Sequence, residues 1–199
     1  MWETEKKLLH KAALQTVEKG LVVGTAGNMS IRVNAPHGRE LMVITPSSCY
    51  YDDLKPKDMV IVDFKGERIE GNLKPSVETM LHIEIYKARQ QVNAIVHVHP
   101  VFSSVFAVTR QKIPPILDDQ VACLGGEINV AEYAPSGSSE MVHNVVSALG
   151  VKNAVLMANH GALSVGGTMR EAITNCELLE KTAKVYVHAL ATGKIITLS

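Results

Sequence analysis

The chain reads as a layered α/β fold, and three observations predict it. Apolar residues recur at helical spacing in several long stretches, short β-branched runs lie between those stretches, and hydrophobic residues make up 46% of the 199 positions. That is enough for one sizeable core, so residues 1–199 are expected to form a single domain.

The first helix is expected over residues 3–19, where Leu8, Leu9, Ala12, Ala13 and Val17 share a face and Gly20 supplies the stop. Gly24-Thr25-Ala26-Gly27-Asn28-Met29-Ser30 is a small polar turn that feeds a strand over residues 30–33. Residues 34–39, with Pro36 and Gly38, read as a hairpin turn into a strand over 41–44, which ends in Thr45-Pro46-Ser47-Ser48. Next come a short helical turn at 52–56, a buried strand at 59–64 and a turn at 65–68. Pro75 and Ser76 open a helix to about residue 90, with Val77, Leu81, Ile85 and Ala88 as its apolar stripe and Glu78 one position off it. A strand over 94–98 and a helix over 101–108 follow, then a β-rich segment over 116–133 interrupted at Gly125-Gly126. The run Ser136-Gly137-Ser138-Ser139-Glu140 starts a helix that ends at Gly150, and an apolar strand then runs up to His160. The last helix spans 169–191, with Ile173, Cys176, Leu179, Ala183 and Tyr186 facing inward.

Composition excludes several classes of function. Twenty basic residues balance twenty acidic ones, so there is no electrostatic footprint for nucleic acid or an anionic membrane. No apolar run approaches the roughly 18 residues of a membrane span, and the charged start Trp2-Glu3-Thr4-Glu5-Lys6-Lys7 lacks the apolar stretch of a signal peptide. A cytoplasmic protein is expected. Cys49, Cys123 and Cys176 have neither the pairing nor the CxxC spacing of a disulfide framework or a thiolate zinc site. No internal repeat, GxGxxG or GxxxxGK[ST] is present, which leaves dinucleotide and NTP binding without support.

The chemistry centres on Ala94-Ile95-Val96-His97-Val98-His99-Pro100. On a strand, His97 and His99 point to one face while Val96 and Val98 pack on the other. Two imidazoles so held either begin a metal site or are ordinary histidines of a half-buried strand. Glu78, near a helix start, and His160, between an apolar run and Gly161, are the further candidate ligands. The turn at Gly27 and Asn28 either presents backbone N–H groups to an anion or is a plain β-turn. The hydroxyls at Ser47 and Ser48 make a second loop of the same kind.

Thr-Ala-Gly-Asn-Met-Ser, Ile-Thr-Pro-Ser-Ser, Lys-Pro-Ser-Val-Glu, Ala-Ile-Val-His-Val-His-Pro and Ala-Asn-His-Gly follow one another in that order. The succession resembles the class II (metal-dependent) aldolase and adducin-head family over about residues 3–186, almost the whole chain. The resemblance implies a three-layer α/β/α sandwich around a mainly antiparallel sheet, in a homotetramer with sites near subunit interfaces. It also implies one Zn2+ per subunit on His97, His99 and His160, with Glu78 as exchangeable ligand and catalytic acid/base. The substrate's phosphate is expected at Gly27, Asn28, Ser47, Ser48 and Ser76, all neutral donors. The implied reaction is retro-aldol cleavage of a ketose 1-phosphate to dihydroxyacetone phosphate and an aldehyde.

The chain departs from the family pattern in several places. Val77 stands where a second serine is frequent, and Thr45-Pro46-Ser47-Ser48 replaces a Thr-Pro-Thr-Gly run. Where some members offer a tyrosine as proton donor to a neighbouring subunit, Asp119 is the aligned residue, which leaves Asp119, Tyr133 and Tyr186 as candidates. The sequence stops shortly after the last helix, without the longer extension that some members fold over the site. Competing readings are a pentulose-phosphate 4-epimerase, which usually carries aspartate at the place of Glu78, a methylthioribulose-phosphate dehydratase, and an adducin-like scaffold without activity. Fuculose, rhamnulose, ribulose and deoxyribulose phosphates all stay open as substrates.

Overall fold

The computed structural model describes residues 2–35 and 38–198, so the expected turn at Pro36 lies outside the described residues. The strands are β1 (Asn28–Asn34), β2 (Glu40–Ile44), β3 (Val60–Asp63), β4 (Arg68–Glu70), β5 (Ala94–Val98), β6 (Val130–Ala131), β7 (Ala154–Met157) and β8 (Gly161–Gly166). The helices are α1 (Glu3–Glu18), α2 (Thr79–Ala88), α3 (Val101–Thr109), α4 (Ser139–Leu149) and α5 (Met169–Leu190). Among the described residues, the eight strands join one sheet in the order β4-β3-β2-β1-β5-β8-β7-β6. Every pairing is antiparallel except β6 with β7, so the α/β fold is built on a mixed, mostly antiparallel sheet.

Alternation along the strands divides the core in two. Leu41, Val43, Val96 and Val98 pack with Leu9 and Ala13 of α1 and Ala172 and Cys176 of α5. Met42, Ile44, Ile95 and Leu163 pack instead with Leu81 and Ile85 of α2 and Met141 and Val145 of α4. Each fully buried aliphatic side chain contributes about 1.5–3 kcal/mol, which is why β5, buried along its whole length, sits in the middle of the sheet. A third cluster, with Phe106, Leu179, Ala183 and Tyr186, fastens α3 to α5. Among the described residues no helix is long and apolar enough to cross a membrane.

Two local expectations are corrected. The helix expected from Pro75 begins only at Thr79, because the preceding residues are used in a tie to another loop: Pro46 and Pro75 form an isolated bridge, and Ser76 N–H donates to the Thr45 carbonyl (3.3 Å). The β-rich segment over 116–133 is mostly not strand. Residues Gln120–Leu124 make a single π-helical turn, since the buried Gln120 amide accepts from Ile116 N–H and donates to the carbonyls of Pro114 and Gly126, outweighing the β-branched composition. Two strands were not anticipated: β4, which follows the turn expected at 65–68, and β8, which lies buried between β5 and β7.

Candidate active site

Four segments deliver the site. Register pairs Asn28 of β1 with His97 of β5, and His99 follows directly on the end of that strand. The β7–β8 turn brings in His160. Its Asn159 takes the left-handed conformation (φ 54°), donates its N–H to Ala107 O (3.0 Å) and accepts from the Arg110 guanidinium, which anchors the turn to the end of α3. Glu78 sits at the N-cap of α2, but its carboxylate does not cap that helix; it is buried and turned into the cavity.

The three imidazoles pack edge to face with ring centroids 4.8–4.9 Å apart, and one ligating atom from each lies within 4.8 Å of the others. His97 Nδ1–H donates to Ala162 O (2.9 Å), which leaves Nε2 as the lone-pair nitrogen, 3.0 Å from His99 Nε2. Glu78 Oε2 lies 3.3 Å from His97 Nε2, and Oε1 lies 3.4 Å from His160 Nε2. Burial, and then the neighbouring imidazoles, push His99 down to about 4 and lower His160 as well, so both rings are neutral near pH 7 and can ligate. Burial alone would raise Glu78, but His97, the Asn28 amide, His160 and Ser136 together bring it down to about 2. Three imidazoles and one carboxylate fit a divalent cation.

Beside these groups opens a cavity of about 140 Å³ whose lining includes Gly27, Asn28, Ser47, Ser48 and Ser76. No Lys or Arg side chain lines it. The Pro46–Pro75 bridge is what brings the two serine loops together. Ser48 holds φ 57°, a conformation that favours glycine. The Asn28 side chain is committed on both sides: Nδ2–H donates to Glu78 Oε2 (2.9 Å), and Oδ1 faces His82 Nε2 (2.6 Å).

Two glycines let the histidine strand approach. A Cβ on Gly27, which also has φ 77°, would fall 2.6 Å from His97 O; one on Gly161 would fall 2.5 Å from Val98 O and 2.6 Å from His99 Cδ2. Gly161→Ala should therefore displace the His99 ring as well as the strand, costing about 1–3 kcal/mol of stability as overpacking does. Melting temperature and bound-metal content both report it; an unchanged pair of values would show that Gly161 is not needed for His99.

Asp119, Tyr133 and Tyr186 do not line this cavity. Asp119 caps the π-turn and pairs with Lys181 (2.5 Å), Tyr186 stacks on Phe106 (5.1 Å between centroids), and Tyr133 is exposed. Sequence reasoning missed two residues around Glu78. Ser136, read only as part of a helix start, donates Oγ–H to Glu78 Oε1 (2.8 Å), and His82 lies behind Asn28. A signal for His82 existed, because Glu78 and His82 are four apart on one helix face and Asn28 and Ser30 share one face of a strand.

The profile of the family described as class II aldolase and adducin N-terminal domain matches residues 7–187. The chain belongs to this family. As a class II aldolase it is a lyase with named relatives at substantial identity. A Rhodospirillum rubrum protein named 5-methylthioribulose-1-phosphate/5-deoxyribulose-1-phosphate aldolase is 37% identical over 180 residues, 90% of this chain and 78% of that protein. The 5-deoxy-D-ribulose 1-phosphate aldolase of Bacillus thuringiensis serovar kurstaki is 33% identical over 178 residues, 89% of this class II aldolase and 82% of the relative. The solved structure of an L-fuculose 1-phosphate aldolase superposes with a TM-score of 0.92 at 34% identity, covering 98% of this chain and 91% of that one.

Proposed function

We propose that this class II aldolase cleaves a ketose 1-phosphate by retro-aldol chemistry, giving dihydroxyacetone phosphate and an aldehyde, with one zinc ion per subunit. The observation that carries the reading is the meeting of Glu78 with three imidazoles at the edge of a hydroxyl-lined cavity. His97, His99 and His160 would hold the ion, with Glu78 as exchangeable fourth ligand. Bound there, the ion supplies Lewis-acid stabilisation of the charge left when the carbon–carbon bond breaks. Glu78, ionised at neutral pH, serves as the base that takes up and returns the proton. Gly27, Asn28, Ser47, Ser48 and Ser76 form the phosphate cup; Ser76 Oγ accepts from Glu78 N–H (3.2 Å) and keeps its own hydrogen for a phosphate oxygen.

A homotetramer and a three-layer α/β/α arrangement belong to the same proposal. The first is supported by Val101, Val105 and Val108, an exposed apolar stripe on α3 just after His99, and the second by the division of strand side chains between two clusters. Asp119 and Tyr133, both with exposed side chains, remain candidates for proton donor to a neighbouring subunit.

The names of the relatives support 5-deoxyribulose, 5-methylthioribulose and fuculose 1-phosphate as the first substrates to test. The test is dihydroxyacetone phosphate release from each by the zinc-loaded enzyme. Release from at least one is expected. No release from any of them, with zinc at one per subunit, would overturn the aldolase reading.

A further inference from the structure

Behind the cavity, Glu78 is joined to a line of buried polar groups that the chemistry above leaves unused. Asn28 bridges Glu78 to His82 Nε2; His82 Nδ1 lies 2.7 Å from Ser30 Oγ, and Ser30 Oγ lies 2.8 Å from the Tyr86 hydroxyl. None of the five residues is more than 6% exposed. Packed apolar side chains would fill this space without the desolvation that polar groups incur, so the line calls for an explanation.

The direction of every bond follows from the charge at one end. An ionised carboxylate only accepts, so Asn28 must turn its NH2 to Glu78 and its carbonyl to His82. A carbonyl only accepts too, so His82 Nε2 carries a hydrogen. His82 is wholly buried with no carboxylate among the described residues against either ring nitrogen, so the ring carries a single hydrogen and its Nδ1 accepts. Ser30 then donates its single hydrogen to His82 and receives one from Tyr86, which burial keeps protonated. Each donor points toward Glu78.

We propose that His82 is a positioning residue for Glu78: its Nε2–H locks the Asn28 amide with the NH2 against Oε2, while Ser30 and Tyr86 lock the tautomer of His82. The role rests on Glu78 acting as acid/base. Released from the lock, the amide can turn over and set its carbonyl against the carboxylate. Oε2 therefore always meets a fixed donor, whereas Oε1 meets the Ser136 hydroxyl, a rotor able to donate or accept.

Long-range 15N–1H NMR of the histidine rings in the zinc-loaded enzyme reads the tautomer directly. His82 should be neutral with hydrogen on Nε2; hydrogen on Nδ1 would overturn the proposal. Ser30→Ala removes the tautomer lock by deleting one atom, and kcat should fall about 10- to 100-fold, as changes behind a metal site do, with zinc content and KM little changed. His82→Leu should show the same loss, and His82→Gln, whose amide can donate to Asn28 and accept from Ser30, should recover most of it. In an Asn28→Ala background, Ser30→Ala should add almost nothing. An equal loss in both backgrounds, or an unchanged kcat in the single variant, would mean that the line serves packing and not Glu78. The NMR measurement needs no substrate, so the expected tautomer in an enzyme that turns over no ketose phosphate would count against the aldolase reading alone.

Discussion

Glu78→Gln should lower kcat by about 10²- to 10⁴-fold, the range typical of a lost general acid/base, while the protein keeps its ion and its fold. The substitution preserves size and a carbonyl oxygen, so Asn28 and Ser136 retain a partner at that position. A role in helix stability predicts the reverse, because charge at a helix end is worth about 0.3–1 kcal/mol and has no reason to touch turnover. The geometry already separates the two: the carboxylate makes no capping bond to α2 and turns instead toward His97 and His160. Measuring kcat, zinc content and melting temperature on one preparation distinguishes them. A near-normal kcat at full zinc occupancy would remove Glu78 from the mechanism.

His160→Ala should abolish activity by losing the ion, with a fall in zinc affinity larger than the about 10- to 100-fold that changes behind a metal site produce. It is the cleanest of the three histidines to remove. Its ring is partly exposed, and the bond that shapes its turn runs from its backbone N–H to Met157 O, which alanine keeps (3.0 Å). Melting temperature should move little. His97→Ala should lose the ion as well, but it also strips Ala162 O of its partner, which adds about 1–3 kcal/mol of destabilisation. Full activity of His160→Ala at low free zinc would exclude that residue as a ligand.

The convergence of these groups was legible in the sequence to the extent that it depends on local periodicity. The parity of a strand puts His97 and His99 on one face, and the glycines after Ala26 and His160 mark where the chain comes close to that strand. What escaped depends on partners distant in sequence. Pro75 and Ser76 look like a helix start until Pro46 and Thr45 claim them. Ser136 looks like part of a cap until its hydroxyl meets an oxygen from another helix. Residues 120–124 have strand-like side chains, yet three hydrogen bonds from one buried glutamine wind them into a turn. Short runs of β-branched residues specify that a segment is buried; which edge it pairs with, or whether it pairs at all, is settled by the surroundings.

β5 is paired on both edges, by β1 and by β8, and the His160 turn is tied to α3. A small zinc domain folds around its ion, so that chelation melts it. Here the candidate ligands His97, His99 and His160 stand on or beside strands of one eight-stranded sheet, and taking an ion away is expected to be a local event. Loading and loss are then governed by diffusion through the partly open side at His99 and His160, on the timescale of ligand exchange and not of unfolding, and amide protons along β5 should exchange equally slowly in the loaded and emptied forms. Such a site would take its divalent ion from the supply around an already folded protein, and the choice could be revised after synthesis.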